Sequence, residues 1–341
     1  YNGHIFWDTE LWMFPTLLVL QPEMAKSCLD YRSDRLAKAK QKASIYGYQG
    51  AMFPWESDDT GEEATPTWAL TGIFEQHITA DVSIAFWNYF AMTQNQSWLR
   101  NEWEVLKQTA NFWVSRAVEN ADGSYSIHNV VGADEYAQHV DDNAFTNASA
   151  IESLKNTIKA AKILNEKVNE EWIKVSEKLV IHKENGITQN YKGYKGQMIK
   201  QADVNLLAYP LHIITDKEQI KKDLEYYADK IDKKDGPAMA SGVLSVLYAR
   251  LGDRDKAYEY FVKSYLPNSR PPFGVFSESA NSNNPYFATG AGAMLQAVIY
   301  GFGGVEQTDK GLQFNKGILP KKWKSLKIIG IGTDEKTITV N

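Results

Sequence analysis

The chain has 341 residues and a net charge of -5, and its Lys and Arg residues are spread along predicted helical faces, so the sequence indicates a folded protein with no nucleic-acid partner. It contains no apolar run of about 18 residues, so we expect no membrane partner. The single cysteine, Cys28, excludes an internal disulfide. The chain begins at Tyr1 without Met or a signal peptide, which predicts a processed or truncated product. The compartment is therefore not predicted, and periplasmic and secreted locations are both compatible.

Apolar residues recur with helical periodicity from the start of the chain to about residue 303. This pattern predicts eleven helices. They cover residues 5–20, 22–46, 79–94, 97–118, 147–165, 169–180, 203–214, 217–231, 238–251, 253–265 and 288–302. No regular repeat of 34–47 residues is visible, which argues against a solenoid of helical repeats.

The connections between these predicted helices alternate in length. Pairs such as 79–94 with 97–118 are joined by a few residues, whereas long loops separate the pairs. Short turns alternating with long loops predict an all-α toroid of helical hairpins, an (α/α)6 barrel with its site on the long loops. Six hairpins need twelve helices, so we expect the first helix to lie upstream of Tyr1.

The sequence pattern changes after Gly303 and Gly304. Short alternating β-rich runs at 325–331 and 336–341 predict strands. We therefore predict a catalytic barrel over residues 1–305 and the start of a small C-terminal β domain over residues 306–341.

The unusual residues are concentrated in the long loops. The chain has 10 Trp and 18 Tyr, and several of these rings, such as Trp7, Trp55, Trp68 and Tyr136, fall in loops where a packed core would not need them. Flat amphipathic rings suit sugars. The stretch GADEYAQHVDDNAFTN at 132–147 carries four carboxylates, which makes it a candidate active-site loop.

The sequence gives little support for other kinds of catalytic site. The sequence contains no nucleophile elbow for a Ser, His and Asp triad and no Gly-rich phosphate loop before a helix. The six His residues show no i, i+4 spacing and have no partner Cys, so we predict neither a metal nor a cofactor. Carboxylates among aromatic rings are typical of glycosidases.

Five segments also carry a family resemblance. They are GHIFWDTE, GYQGAMFPWESDDTGEE, GADEYAQHVDDNAFTN, IKQADV and ATGAGAMLQAVIYGF. Their order and spacing resemble glycoside hydrolase family 65, which includes maltose, kojibiose and trehalose phosphorylases and related α-glucosidases. The resemblance covers residues 3 to about 304. It implies an (α/α)6 barrel between a large N-terminal β-sandwich, absent from this chain, and a small C-terminal β domain.

The resemblance also implies roles for individual residues. Glu135 matches the general acid of the family. Six further residues match contacts to the substrate, namely Trp7, Asp8, Trp55, Glu56, Lys200 and Gln201. Helix capping is the alternative for Asp8, and ordinary loop packing or a solvated face is the alternative for Trp55, Glu56, Lys200 and Gln201. We expect Asp58, Asp59, Glu62 and Glu63 to be surface charges or supports of the site.

The segment FGVFSESAN bears on whether the enzyme uses water or phosphate to cleave the glycosidic bond. Family phosphorylases bind phosphate on this side of the site, where a dianion needs hydrogen-bond donors. Here Glu278 would repel phosphate and could instead accept a proton from water, which predicts an inverting hydrolase with Glu135 as acid and Glu278 as base. The hydroxyls of Ser277 and Ser279 keep an inverting phosphorylase that releases glucose 1-phosphate as the alternative.

Two further alternatives stay open. A helical toroid does not by itself require catalysis, so a sugar-binding scaffold is the third reading. The predicted partner is a small carbohydrate of unresolved linkage, and the resemblance allows a homodimer because members of the family are often dimers.

Overall fold

The computed structural model describes residues 1–341 and contains thirteen α-helices and ten short strands. The helices are α1 Phe14–Leu20, α2 Pro22–Asp34, α3 Leu36–Ile45, α4 Thr71–Phe74, α5 Ile78–Thr93, α6 Gln96–Asn101, α7 Trp103–Arg116, α8 Ala144–Leu164, α9 Glu170–Lys178, α10 Lys217–Ala228, α11 Met239–Arg250, α12 Arg254–Lys263 and α13 Ala288–Gln296. Two π-helices, Asp8–Met13 and Ala297–Phe302, extend α1 and α13, and two short 3-10 helices cover Val204–Leu207 and Leu266–Asn268.

All the strands form two-stranded antiparallel hairpins. They are β1 Val118–Glu119, β2 Tyr125–Ser126, β3 Lys183–Glu184, β4 Ile187–Thr188, β5 Ser269–Arg270, β6 Val275–Phe276, β7 Val305–Thr308, β8 Gly311–Phe314, β9 Leu326–Ile331 and β10 Lys336–Val340. The β9–β10 hairpin lies where the sequence predicts strands. The β7–β8 hairpin was not predicted.

The chain divides into two compact units. Unit 1 comprises Tyr1–Glu10, Ser27–Phe90 and Gln94–Lys195, and unit 2 comprises Leu11–Lys26, Ala91–Thr93 and Gly196–Asn341. No helix is both long and apolar enough to cross a membrane.

Unit 1 is built around α8, its longest helix. Asn143 caps the helix by accepting a 2.8 Å hydrogen bond from the amide of Thr146, and Asn165 ends it with a left-handed backbone. The helix packs against α6, α7 and α9. Fifteen of its residues are buried, so α8 is a core helix rather than an amphipathic surface helix.

Unit 2 is built around α11, which packs against α12, α13 and the π-helix Ala297–Phe302. Small residues allow these close contacts. A Cβ on Gly242 would lie 2.7 Å from the carbonyl oxygen of Ala293, and a Cβ on Gly292 would lie 2.5 Å from that of Trp12. These contacts explain why Gly292 and Ala293 are small in the motif that begins at Ala288, because larger side chains would separate the elements.

The predicted helices are found with three main differences. The predicted helix at 97–118 is divided at Glu102 into α6 and α7. The predicted helix at 22–46 is interrupted at Arg35, whose φ and ψ are -107° and 11° and whose guanidinium donates to the carbonyl of Asp59. The predicted helix at 203–214 is wrong, since only Val204–Leu207 form a 3-10 turn there. Pro210 explains this difference because proline lacks an amide donor and disfavours α geometry in the preceding residue.

Candidate active site

The loop that carries Glu135 in unit 1 is held at its base and at its centre. Val130 and Val140 exchange backbone hydrogen bonds of 2.9 and 3.0 Å. The Asp134 carboxylate is buried, accepts a 2.9 Å hydrogen bond from Asn190 Nδ2 and also accepts from the amide of Tyr136. Glu135 follows immediately and is half-buried. Asp134 therefore fixes the backbone on which Glu135 is presented.

The start of α8 supports the same loop. Asn143 donates to the backbone and side-chain oxygens of Asn190 at 3.1 and 3.2 Å. A Cβ on Gly132 would lie 2.3 Å from the Asn143 side chain, so only glycine fits there. Buried Asp142 accepts hydrogen bonds from the amide of Ile127 and from Ser126, and contacts His182 Nε2 at 2.9 Å.

Trp7 and Trp55 belong to a buried aromatic cluster in unit 1. The Trp7 ring centroid lies 4.6 Å from that of His77, 5.7 Å from Phe145 and 6.5 Å from Trp55. Trp7 is 1% exposed and Trp55 is 8% exposed. The expectation that loop aromatics lie outside a packed core is wrong for these two rings, whereas Trp68 and Tyr136 are exposed at 84% and 46%.

A carboxylate holds the segment that contains Trp55 and Glu56. The two oxygens of Glu63 accept hydrogen bonds of 3.0 Å from the amides of these two residues, and Glu63 also pairs with the Lys42 ammonium. Glu56 in turn contacts His4 Nδ1 at 2.6 Å. Asp8 is half-buried and is the first residue of the π-helix that follows Trp7.

Below Trp7 lies a charged triad with no solvent exposure. His77 Nε2 contacts Glu75 at 2.8 Å, and its Nδ1 contacts Asp81 at 2.7 Å. Burial alone lowers the pKa of His77, but the charges and hydrogen bonds of Asp81 and Glu75 outweigh burial and raise the pKa to about 10. His77 is therefore an imidazolium at neutral pH, and its edge supports the Trp7 ring.

In unit 2, Lys200 and Glu278 lie together. Lys200 Nζ is 4.0 Å from Glu278 Oε1, and the two side chains are 20% and 31% exposed. Residues 231–238 hold both segments, because Ile199 pairs with Ile231 and Pro237 pairs with Ser279. Gln201, the residue after Lys200, is buried.

The loop around Glu278 is fixed by polar side chains. Asn268 Nδ2 donates to the carbonyl oxygens of Ser277 and Glu278 at 3.1 and 3.0 Å. Ser277 Oγ is buried and donates to the carbonyls of Asn268 and Ser279. Arg270 spans the loop by donating to the carbonyls of Pro267, Ser279, Ala280 and Ser282. These hydrogen bonds fix the backbone of the loop and thus the direction in which Glu278 leaves it.

Both units present a half-buried carboxylate on a braced loop, the kind of group that transfers protons in catalysis. No group of three or more His, Cys, Asp and Glu side chains is arranged to hold a metal ion. The site residues predicted from the sequence fall into two groups: Trp7, Asp8, Trp55, Glu56 and Glu135 lie in unit 1, and Lys200, Gln201 and Glu278 lie in unit 2.

Comparison with known proteins gives a family match over most of the chain. Residues 1–196 and 188–268 match the family described as the glycosyl hydrolase family 65 central catalytic domain. The chain belongs to glycoside hydrolase family 65. The resemblance seen in the five sequence motifs is confirmed.

Curated relatives within family 65 match along the whole chain. The kojibiose hydrolase of Flavobacterium johnsoniae is 53% identical over 100% of this chain and 50% of its own length. The protein-glucosylgalactosylhydroxylysine glucosidase of Dictyostelium discoideum is 38% identical over 99% of this chain and 50% of its own length. The chain thus spans about half the length of the curated relatives it matches.

A solved structure confirms the fold. A human-microbiome protein described as a candidate kojibiose phosphorylase aligns with a TM-score of 0.82 at 20% identity, over 99% of this chain and 55% of the other. The fold class is the predicted all-α (α/α)6 barrel with a short C-terminal β segment.

Several residues that hold the candidate site residues in place were not predicted from the sequence. Glu63 was grouped with three other acidic residues, and only its burial and its two backbone partners distinguish it. Arg270, Asn268 and the triad around His77 were not singled out. The only sequence signal for the triad is the spacing of Glu75, His77 and Asp81, which also fits an ordinary helix start.

Proposed function

We propose that the chain is the catalytic domain of an inverting α-glucoside hydrolase that acts on α-linked glucose disaccharides or glucosyl conjugates, with kojibiose as the first substrate to test. The observation that carries this proposal is the 53% identity to a kojibiose hydrolase over the full chain. Similarity to a glucosidase of glucosylgalactosylhydroxylysine supports glucosyl conjugates as further substrates.

Glu135 is the proposed general acid, which protonates the glycosidic oxygen as the bond to the leaving sugar breaks. Its position on a loop braced by Asp134 and Asn190 supports this role, because a proton donor must be held in a fixed direction.

Glu278 is the proposed general base. The position of its carboxylate supports this role, because Glu278 lies on a braced loop 4.0 Å from the Lys200 ammonium, a group proposed to contact the sugar. Water would attack the anomeric carbon on the face opposite the leaving group, pass a proton to Glu278 and release β-glucose. Inverting enzymes separate the two carboxyls by about 6.5–9.5 Å to leave room for that water.

The remaining predicted site residues are proposed to contact the glucose unit. Asp8 and Glu56 offer carboxylate acceptors for sugar hydroxyls, and Lys200 and Gln201 offer polar contacts. The burial of Trp7 and Trp55 supports a specific role in which the two rings form a rigid wall rather than an exposed platform.

Phosphorolysis is the competing reaction, and the loop at Glu278 weighs against it. Ser277 already donates its hydroxyl hydrogen to the carbonyls of its own loop. The carboxylate of Glu278 adds a negative charge where a phosphate dianion would need donors. This leaves Ser279 as the hydroxyl that favours a phosphorylase.

The deciding experiment measures glucose release from kojibiose with and without inorganic phosphate, while NMR follows the anomer that forms first. We expect phosphate-independent release of β-glucose. Strict phosphate dependence with glucose 1-phosphate as product would overturn hydrolysis. Release of α-glucose first would overturn inversion, and sugar binding without any turnover would favour a binding scaffold.

Two structural predictions accompany this function as proposals. One is the division into a barrel over residues 1–305 and a β domain from residue 306. The other is a homodimer, which sedimentation of the purified chain would test.

A further inference from the structure

Unit 2 contains a cavity of about 400 Å³ near the C-terminal ends of α11 and of the π-helix Ala297–Phe302. Its polar lining includes Arg250, His212, Lys217, Glu306 and Lys316. Aliphatic side chains such as Leu247, Ile214 and Ile220 form other parts of its wall. This volume falls within the range of small-molecule sites, and the mixed wall suits a ligand with a charged and an apolar part.

Arg250 has unused hydrogen-bonding capacity at this cavity. Its Nη2 atom is buried and has no hydrogen-bond partner. Nε reaches the carbonyl of Tyr300 at 3.5 Å, which is a weak interaction, and the guanidinium lies 4.7 Å from the centroid of the Tyr209 ring. Arg250 as a whole is only partly buried and lines the cavity, so its guanidinium can offer donors to an oxygen-rich ligand.

The charges around the cavity favour an anion. Lys217 and Lys316 are exposed, and together with Arg250 they provide three cations. Glu306 is the opposing carboxylate, and it accepts a 2.7 Å hydrogen bond from Asn315. Burial lowers the pKa of His212 to about 4, so this residue is neutral at physiological pH.

The cavity is separate from the proposed catalytic carboxylate of the same unit. The amide of Ala238, just before α11, donates to the carbonyl of Glu278, whereas Arg250 is the last residue of α11. Twelve residues of helix separate these positions, or about 18 Å at 1.5 Å per residue. A ligand in the cavity would therefore not compete directly for Glu278.

Arg250 ends α11, and a cation at this position stabilises the C-terminal end of the helix. This role explains why a charged residue occurs there. It does not account for a guanidinium that lines a cavity and makes only a weak 3.5 Å hydrogen bond to the carbonyl of Tyr300. We propose that this cavity binds a small oxyanion-bearing molecule, a phosphate ester or a carboxylate, through Arg250, with Lys217 and Lys316 attracting it.

Calorimetric titration at fixed ionic strength tests this proposal with inorganic phosphate, glucose 6-phosphate and benzoate, and with benzamide as the uncharged reference. We expect saturable binding of at least one anion and none of comparable strength for benzamide. Arg250→Gln should weaken binding at least about tenfold, because a charge-assisted pair is lost. Comparing phosphate and glucose 6-phosphate with benzoate separates phosphate from carboxylate ligands.

The double variant Lys217→Gln/Lys316→Gln changes exposed residues only and should also weaken binding, which keeps the test valid if Arg250→Gln does not fold. Lys155→Gln/Lys167→Gln removes the same charge from exposed positions in unit 1 and should leave binding unchanged. Absence of saturable binding, equal binding by all variants, or loss of binding in Glu278→Gln would each overturn the proposal. Hydrolysis of kojibiose is measured separately, so failure here leaves the catalytic proposal intact.

Discussion

Lys200 Nζ lies 4.0 Å from Oε1 of Glu278, and the backbone segments of both residues are paired with residues 231–238 of unit 2. Both side chains are partly exposed, so the pair itself contributes only about 0–1 kcal/mol to stability. Its consequence lies in position rather than in stability. The pair places a cation beside a carboxylate, which is the arrangement required by the proposed roles of Lys200 in contacting the sugar and of Glu278 in accepting a proton from water.

Replacing Glu278 by Ala should reduce kcat for kojibiose about 10²–10⁴-fold, because water loses its proposed proton acceptor. Azide needs no base, so added azide should restore turnover and give β-glucosyl azide, which NMR identifies. Glu259→Ala, at an exposed position on α12, is the control and should keep full activity. Formation of α-glucosyl azide would contradict the role of Glu278 as the base of an inverting enzyme.

Glu135→Gln should slow the hydrolysis of substrates whose leaving group needs a proton and spare substrates whose leaving group does not. Kojibiose needs protonation of its glycosidic oxygen, so its kcat should fall about 10²–10⁴-fold. α-Glucosyl fluoride releases fluoride without a proton donor and should still be hydrolysed, which a fluoride electrode measures. The exposed Glu119→Gln is the control. Equal losses for both substrates would show that Glu135 is not the acid.

The adjacent residues Glu62 and Glu63 allow a matched test of whether Glu63 holds the segment that contains Trp55 and Glu56. Glu63→Ala removes the acceptor of the Trp55 and Glu56 amides. It also removes the ion-pair partner of Lys42, whose pKa is lowered by burial. We expect the free energy of unfolding in urea to fall by about 1–3 kcal/mol and KM to rise. Glu62→Ala, at a more exposed position paired with Lys38, should change the unfolding free energy by less than about 0.5 kcal/mol. Similar effects of the two variants would contradict a bracing role for Glu63.

The sequence predicts where most helical segments lie because helical periodicity is local, but it does not predict the interruptions at Arg35 and Glu102. The predicted helix at 147–165 is the observed α8, and the predicted strands at 325–331 and 336–341 are β9 and β10. The predicted helix at 203–214 is wrong because the apolar periodicity of this segment does not reflect the effect of Pro210 on helix geometry. Local pattern carries no information about how a proline-containing segment packs against the rest of its unit.

The candidate site was less predictable. Motif resemblance predicts Glu135 as the general acid, but the sequence does not distinguish Glu63 from Glu62, since both are acidic residues in one loop. Burial and backbone hydrogen bonds decide their roles, and these depend on contacts with distant residues such as Lys42. For the same reason the imidazolium of His77, enclosed by Glu75 and Asp81, could not be inferred from composition.

The triad around His77 should make stability depend on alkaline pH. Because the folded-state pKa of about 10 lies above the ordinary 6.5, the stabilisation is complete below pH 6.5 and is lost as pH rises through about 10. His77→Gln removes the cation that contacts both Glu75 and Asp81, so the free energy of unfolding at pH 7 should fall by about 3–5 kcal/mol. Urea unfolding at pH 7 and pH 10 should show a smaller decrease for the variant than for the wild type. His128→Gln, which removes an exposed histidine 3.3 Å from Asp141, should preserve the wild-type pH dependence. Identical pH dependence in wild type and His77→Gln would mean that His77 is not charged in the folded protein.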